Sequence, residues 1–144
     1  MPDNIHATAI ALWLARRGQY AWRGVLIQGA SGMGKSDLAL RLMQLGARLV
    51  ADDRSQIWAS GSQLYVRCPD TIAGKIEART LGILDVPYLP MSRVEIVIQL
   101  THDAIDRLPE PRKISLCDID LPLLTLDPRP FSAPTLVVQA LEAL

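Results

Sequence analysis

The segment Gly29-Ala30-Ser31-Gly32-Met33-Gly34-Lys35-Ser36 constrains this chain more than any other. It fits the phosphate-loop pattern G-x-x-x-x-G-K-[ST] at every fixed position. Gly24-Val25-Leu26-Ile27-Gln28 before it reads as a buried strand, and Ser36 to Met43 after it reads as an amphipathic helix. Strand, glycine loop and helix in that order point to a phosphate-binding unit rather than to a glycine-rich turn with a chance lysine. The glycines let backbone N–H groups approach phosphate oxygens. The helix N-terminus adds about half a positive charge beneath them. Lys35 is placed to reach the outer phosphates, and the Ser36 hydroxyl to ligate Mg²⁺, so ATP and Mg²⁺ are the expected ligands.

The rest of the chain does not continue as a regular alternation of strand and helix. Ile5 to Leu14 reads as a strand or a short helix, and Arg16 to Tyr20 as an exposed turn with a solvated arginine pair. Gly46 closes the loop helix. Arg48-Leu49-Val50-Ala51 is a short strand, and Gln56 to Ser60 and Gln63 to Arg67 flank Gly61-Ser62 as a hairpin. Pro69-Asp70-Thr71 is a turn, and Thr71 to Thr80 reads as irregular or a short helix. Gly82 to Pro87 is a brief apolar stretch, and Val94 to Leu100 is the clearest strand. Ile114 to Cys117 and Leu123 to Leu126 are strands with Pro122 between them, and Pro134 to Leu144 is a last helix. Strands predominate. The predicted fold is α/β, a mixed sheet around the loop helix, in one domain spanning residues 1–144.

Charge and cysteine content narrow the partners. Fifteen basic residues balance fifteen acidic ones, which leaves no footprint for nucleic acid or an anionic membrane. No apolar run reaches the ~18 residues of a membrane-spanning helix. Cys68 and Cys117 lie far apart and outside any C-x-x-C pattern, as expected of reduced thiols. The expected location is the cytoplasm, where ATP is at hand. Trp13, Trp22 and Trp58 are expected to pack against the protein rather than stack adenine. His102 beside Asp103 reads as part of a solvated loop.

Asp52-Asp53 ends a hydrophobic strand soon after the loop helix, where a Walker B carboxylate holds the nucleotide's Mg²⁺. Two adjacent carboxylates can divide labour, one toward the metal and one accepting a proton from a hydroxyl. Neighbours in an extended strand point opposite ways, so both reach the site only if the strand has ended. On its own the pair reads equally well as a solvated turn.

A second segment, Lys75-Ile76-Glu77-Ala78-Arg79-Thr80-Leu81-Gly82-Ile83-Leu84-Asp85-Val86, sharpens the reading. It resembles the signature of the HPr kinase/phosphorylase family, Glu-x-Arg-Gly-Leu-Gly-Ile-Ile-Asp-Val, keeping Glu77, Arg79, Leu81, Gly82, Ile83, Asp85 and Val86. Thr80 stands where the signature has a glycine. Arg48 to Asp53 resembles the family's stretch after its loop helix, and His6 lies at a family site position.

The resemblance implies an ATP-dependent kinase acting on a serine of the phosphocarrier protein HPr, reversible with inorganic phosphate. It implies a catalytic domain related to phosphoenolpyruvate carboxykinase, in a short single-domain form. By the same resemblance Asp52 is the base for the serine hydroxyl. Lys35, Arg79 and His6 join it as catalytic residues, residues Gly29 to Ser36 bind nucleotide, and Ser36, Asp53 and Glu77 face the metal. A homo-oligomer is a further implication. The family's C-terminal loop Val-Arg-Pro-Gly-Arg is matched here only by Arg129 within Leu126-Asp127-Pro128-Arg129-Pro130-Phe131. The alternative is an ATP-binding regulator that controls a partner such as a sensor kinase with little turnover.

Overall fold

Apolar side chains at every second position recur through this chain, and they build strands. The computed structural model of the protein describes residues 2–69 and 73–144. In chain order the elements are β1 (Asp3–His6), β2 (Thr8–Arg16), β3 (Gln19–Gln28), α1 (Lys35–Met43), β4 (Arg48–Ala51), β5 (Arg54–Ser60), β6 (Gln63–Arg67), β7 (Lys75–Ala78), β8 (Gly82–Asp85), β9 (Met91–Leu100), β10 (Arg112–Leu116), β11 (Ile119–Leu126) and α2 (Ala133–Glu142). Nine strands form a mixed sheet in the order β1-β5-β6-β9-β3-β2-β4, with β11 and β10 branching from β9, while β7 and β8 pair separately.

Strand β9 is the branch point. One of its edges runs parallel to β3. The other is shared: residues 91–94 pair antiparallel with β6, and residues 97–100 pair parallel with β11. The carboxyl ends of β3, β9 and β11 therefore open at one edge of the sheet. At that edge ligands of α/β sheets bind.

Both faces of the central strands are covered. In β2, Ile10 and Leu12 face a core with Leu38 and Leu42 of α1 and Val137 and Leu141 of α2. Ala9 and Ala11 face the opposite way, into a second core with Ile57, Leu64 and Val66 of the β5–β6 hairpin. Gly24 of β3 meets a close neighbour: a Cβ there would stand 2.2 Å from the Arg93 carbonyl oxygen. Gly46, at φ 101°, ends α1 as expected, with the Ala47 N–H on the Leu42 carbonyl and the Gly46 N–H on that of Met43.

The structure departs from the sequence reading in several places. Ile5 to Leu14 is strand, split between β1 and β2. The segment after Gly74, expected to be irregular or helical, is strand β7; Ile76 and Ala78 are buried while Lys75 and Glu77 are exposed, a period of two over a run too short to announce itself. The expected turn at Pro69-Asp70-Thr71 falls partly outside the described residues. Pro122 lies inside β11 rather than between strands. Pairing with β9 begins only at Leu123, so the missing N–H of Pro122 falls outside that ladder. Leu136 and Leu144 of the last helical segment stay about half exposed, at 48% and 44%.

Arg16 is not part of a solvated pair. Its guanidinium donates to Glu95 of β9 at 2.7 Å and to the Leu141 carbonyl. Arg23 donates to the same carboxylate at 2.9 Å, and Arg93 donates to it as well. Burial of Glu95 raises its pKa, but the hydrogen bonds from Arg16, Arg93 and Arg23 outweigh this and hold the carboxyl below its ordinary value of 4.5. A depressed carboxyl stabilises the fold fully above its unfolded pKa and loses that contribution as pH falls through the folded one. Acid unfolding therefore begins as pH drops below about 4.5. Glu95→Gln is expected to cost about 3 kcal/mol near neutral pH, because it strands buried guanidinium charge, and to flatten the acid limb of the stability profile. Urea melts of both proteins between pH 3 and 7 would check this; parallel profiles would mean that Glu95 is not the group that titrates.

Candidate active site

Strand β3 delivers the chain to Gly29, and α1 takes it up at Lys35. Between them the loop turns at Ala30 to Met33, closed by the Met33 N–H on the Ala30 carbonyl at 3.0 Å. Gly32 and Gly34 sit at φ 81° and 107°, which L side chains rarely adopt. Gly29 is confined for a different reason: a Cβ would stand 3.1 Å from Cβ of Leu100 at the end of β9. Gly34 caps α1 without any side-chain hydrogen bond, so the first-turn N–H groups face outward from the loop uncapped.

Lys35 is buried, and its ammonium donates to the Gly29 carbonyl at 2.9 Å and the Ala30 carbonyl at 3.3 Å. An ammonium has three N–H donors, so one remains for an incoming anion. On that side lies Asp53, with Oδ1 3.9 Å from Lys35 Nζ.

The two carboxylates both reach the loop, and the backbone shows how. Strand β4 ends at Ala51, and Asp53 takes φ 65°, a left-handed conformation that Asp tolerates better than most residues. The extended alternation is broken, so the two side chains no longer oppose one another. Asp52 Oδ1 accepts from the Ser36 hydroxyl at 2.6 Å and from the Thr8 hydroxyl at 3.1 Å. Thr8 Oγ1 in turn accepts the Asp53 N–H at 3.1 Å. Asp53 itself is largely exposed, with His6 Nδ1 3.9 Å from its Oδ1.

Thr8 was not singled out from the sequence. It is fully buried at the start of β2, between Ala7 and Ala9, and it fixes both aspartates. A lone hydroxyl in a run of alanines beside His6 is the signal that could have found it.

Glu77 and Arg79 fall elsewhere in the described hydrogen bonding. Both are exposed on and after β7, whose Ile76 packs into the core that holds α1. Among the described residues neither makes a side-chain hydrogen bond or ion pair with Lys35, Ser36 or the aspartates, and no group of three His, Cys, Asp or Glu side chains could hold a metal ion. The tryptophans pack as expected on the protein itself. Trp13 stacks on Tyr20 and meets Trp22, while Trp58 stacks on Tyr65. Trp22 lies seven residues of β3 ahead of Gly29, roughly 20 Å away along the strand.

A third segment walls the loop. Pro128, after β11, lies 3.7 Å from where a Gly34 Cβ would be, and its carbonyl accepts from Arg41 of α1 at 2.6 Å. Arg129 donates to Asp127 through Nε and a terminal nitrogen, and to the His102 carbonyl at 3.1 Å. Hydrogen bonds from the Arg129 side chain and backbone hold the Asp127 carboxyl down at about 2.

Residues 21–141 match the family model of the HPr Serine kinase C-terminal domain. The chain belongs to this family. Among HPr kinase/phosphorylases, that of Geobacillus thermodenitrificans is 39% identical over 120 aligned residues, covering 74% of this chain and 39% of the relative. That of Caldanaerobacter subterraneus is 39% identical over 130, covering 81% and 42%. The chain thus spans about two-fifths of the length of the curated relatives it matches. The structure of the Hpr(Ser) kinase/phosphatase from Coxiella burnetii superposes with a TM-score of 0.79 at 25% identity, covering 98% of this chain and 95% of that one. The family domain, its mixed α/β sheet and its few helices thus agree with the fold expected from sequence. No helix among the described residues is long and apolar enough to cross a membrane.

Proposed function

We propose that this chain is an ATP-dependent kinase for a serine hydroxyl of HPr, with the reverse reaction run by inorganic phosphate. The observation that carries this reading is the convergence of Lys35, Ser36, Asp52 and Asp53 on one uncapped phosphate loop in a chain of the HPr serine kinase C-terminal domain family. The same family reading carries kinship with phosphoenolpyruvate carboxykinase, action in the cytoplasm and assembly as a homo-oligomer.

The site fits magnesium ATP. The loop glycines leave room for phosphate oxygens beside free N–H groups. The Ser36 hydroxyl and Asp52 carboxylate form a hard oxygen pair 2.6 Å apart, and Mg²⁺ commonly takes one or two protein oxygens and completes its shell with phosphate and water. When bound, magnesium ATP supplies the transferable γ-phosphoryl group and disperses its charge.

The protein's own groups then divide the work. Lys35 and the loop N–H groups hold the outer phosphates through charge-assisted hydrogen bonds. Asp52, engaged by Ser36 and Thr8, is the metal-side carboxylate. Asp53, exposed and unencumbered by those hydroxyls, is the proton acceptor for the serine hydroxyl. This reverses the division implied by the family resemblance alone, and its support is the geometry of the two side chains. His6 and Lys35 both stand 3.9 Å from Asp53 and favour its ionised form. In reverse, protonated Asp53 returns its proton to the departing serine oxygen. Glu77 and Arg79 would join as metal-side and phosphate-side groups by movement of the β7–β8 hairpin over the loop.

Incubating the protein with γ-labelled ATP and purified HPr is expected to transfer label to HPr in a Mg²⁺-dependent manner. ATP binding without transfer would instead support the regulatory role.

A further inference from the structure

The edge of the sheet that carries the phosphate loop also carries two large apolar side chains with almost no protein cover. Phe131 is 99% exposed and Leu108 is 94% exposed. Phe131 follows β11, and Leu108 lies in the connection that leaves β9 and returns as β10. Because β3, β9 and β11 are parallel, both connections stand beside the phosphate loop. Phe131 is three residues beyond Pro128, hence within about 10 Å of the residue that packs on Gly34.

This exposure is built rather than loose. Proline flanks both side chains, at Pro109 and Pro111 after Leu108 and at Pro128 and Pro130 before Phe131. Each proline fixes φ and lowers the conformational freedom of its loop. The segment before Phe131 is further pinned by Arg129 on Asp127 and on the His102 carbonyl, and by the Ala133 N–H on the Pro130 carbonyl at 3.0 Å. A rigid loop that holds a phenyl ring in water forgoes the gain of burying it unless something else covers it. A small polar substrate would leave both rings of the rim in water. A protein substrate would not, because the surface around its hydroxyl must come down on the loops that wall the site.

We infer that Phe131 and Leu108 are apolar anchor points of a rim that receives the acceptor protein around its reactive serine. This rests on the protein-kinase reading above and adds the surface by which the acceptor is held. The partner is a protein with an apolar patch beside an exposed serine. Rim residues of this kind contribute to docking and not to the chemical step, so they act on KM.

The test uses the full chain, HPr and ATP. The double substitution L108S/F131S is expected to raise KM for HPr about tenfold, with kcat within about twofold and ATP affinity by calorimetry unchanged. Phe131→Tyr, which keeps the ring, should stay near wild type. Tyr20→Ser, an exposed aromatic at the far end of the β2–β3 hairpin, is the control and should change nothing. Unchanged KM in the double variant, with active wild type, overturns the rim and leaves the kinase reading standing. A parallel fall of kcat and ATP affinity overturns it too, since the residues would then shape the nucleotide site. Wild type that binds ATP and transfers nothing to HPr removes the kinase reading and the rim with it.

Discussion

Lys35→Ala is expected to abolish detectable phosphoryl transfer and to weaken ATP binding at least tenfold. The ammonium is buried against two loop carbonyls and keeps one donor for the phosphates. Its removal deletes the one lysine charge of the loop and leaves the Gly29 and Ala30 carbonyls without their donor. Loss of a preorganised donor at developing phosphate charge costs on the order of 10²–10³ in rate, and the lost charge adds to that. Isothermal calorimetry with ATP and a labelled-phosphate assay give the two readouts. Unchanged affinity together with unchanged transfer would sink the assignment of this loop to phosphate.

Asp53→Asn is expected to keep ATP affinity within about twofold and lower transfer by two or more orders of magnitude, the scale of a lost general base. Asp52→Asn should behave differently. An amide in its place is a poorer ligand for a hard cation, so the Mg²⁺ concentration for half-maximal activity should rise. The contrast follows from the two hydrogen-bond environments: Asp52 accepts from Ser36 and Thr8, and Asp53 accepts from neither. Magnesium titrations at saturating ATP separate the pair. A transfer defect in Asp52→Asn that no magnesium concentration relieves, with near-normal Asp53→Asn, would restore the opposite division of roles.

The legible part of this protein was local. The glycine pattern, the strand before it and the helix after it identify the loop because each is decided within a few residues. The β5–β6 hairpin was readable from Gly61-Ser62 between two strand-like runs, and β9 from its β-branched residues. Thr8 was not legible, since its meaning lies in aspartates more than forty residues away. The division of Asp52 from Asp53 depends on one left-handed φ, which two adjacent identical residues do not announce. The ion pairs of Glu95 are likewise long-range, reaching from Arg16 across seventy-nine positions. Pro122 misled because proline usually marks a break, and here the branching of β9 leaves a place where its missing donor is harmless.

That branching has a consequence for how the molecule opens. Amides of β9 can be freed only by releasing β3 on one side and both β6 and β11 on the other. Local fluctuations free amides in frayed ends and lone hairpins, and central strands exchange only on global unfolding. In deuterium exchange, β9 should therefore be among the last segments to exchange, together with the strand that leads into the phosphate loop. The β7–β8 hairpin, paired only with itself, should exchange early. The nucleotide loop would thus stand on the most persistent part of the molecule, beside a flap with the freedom to come and go.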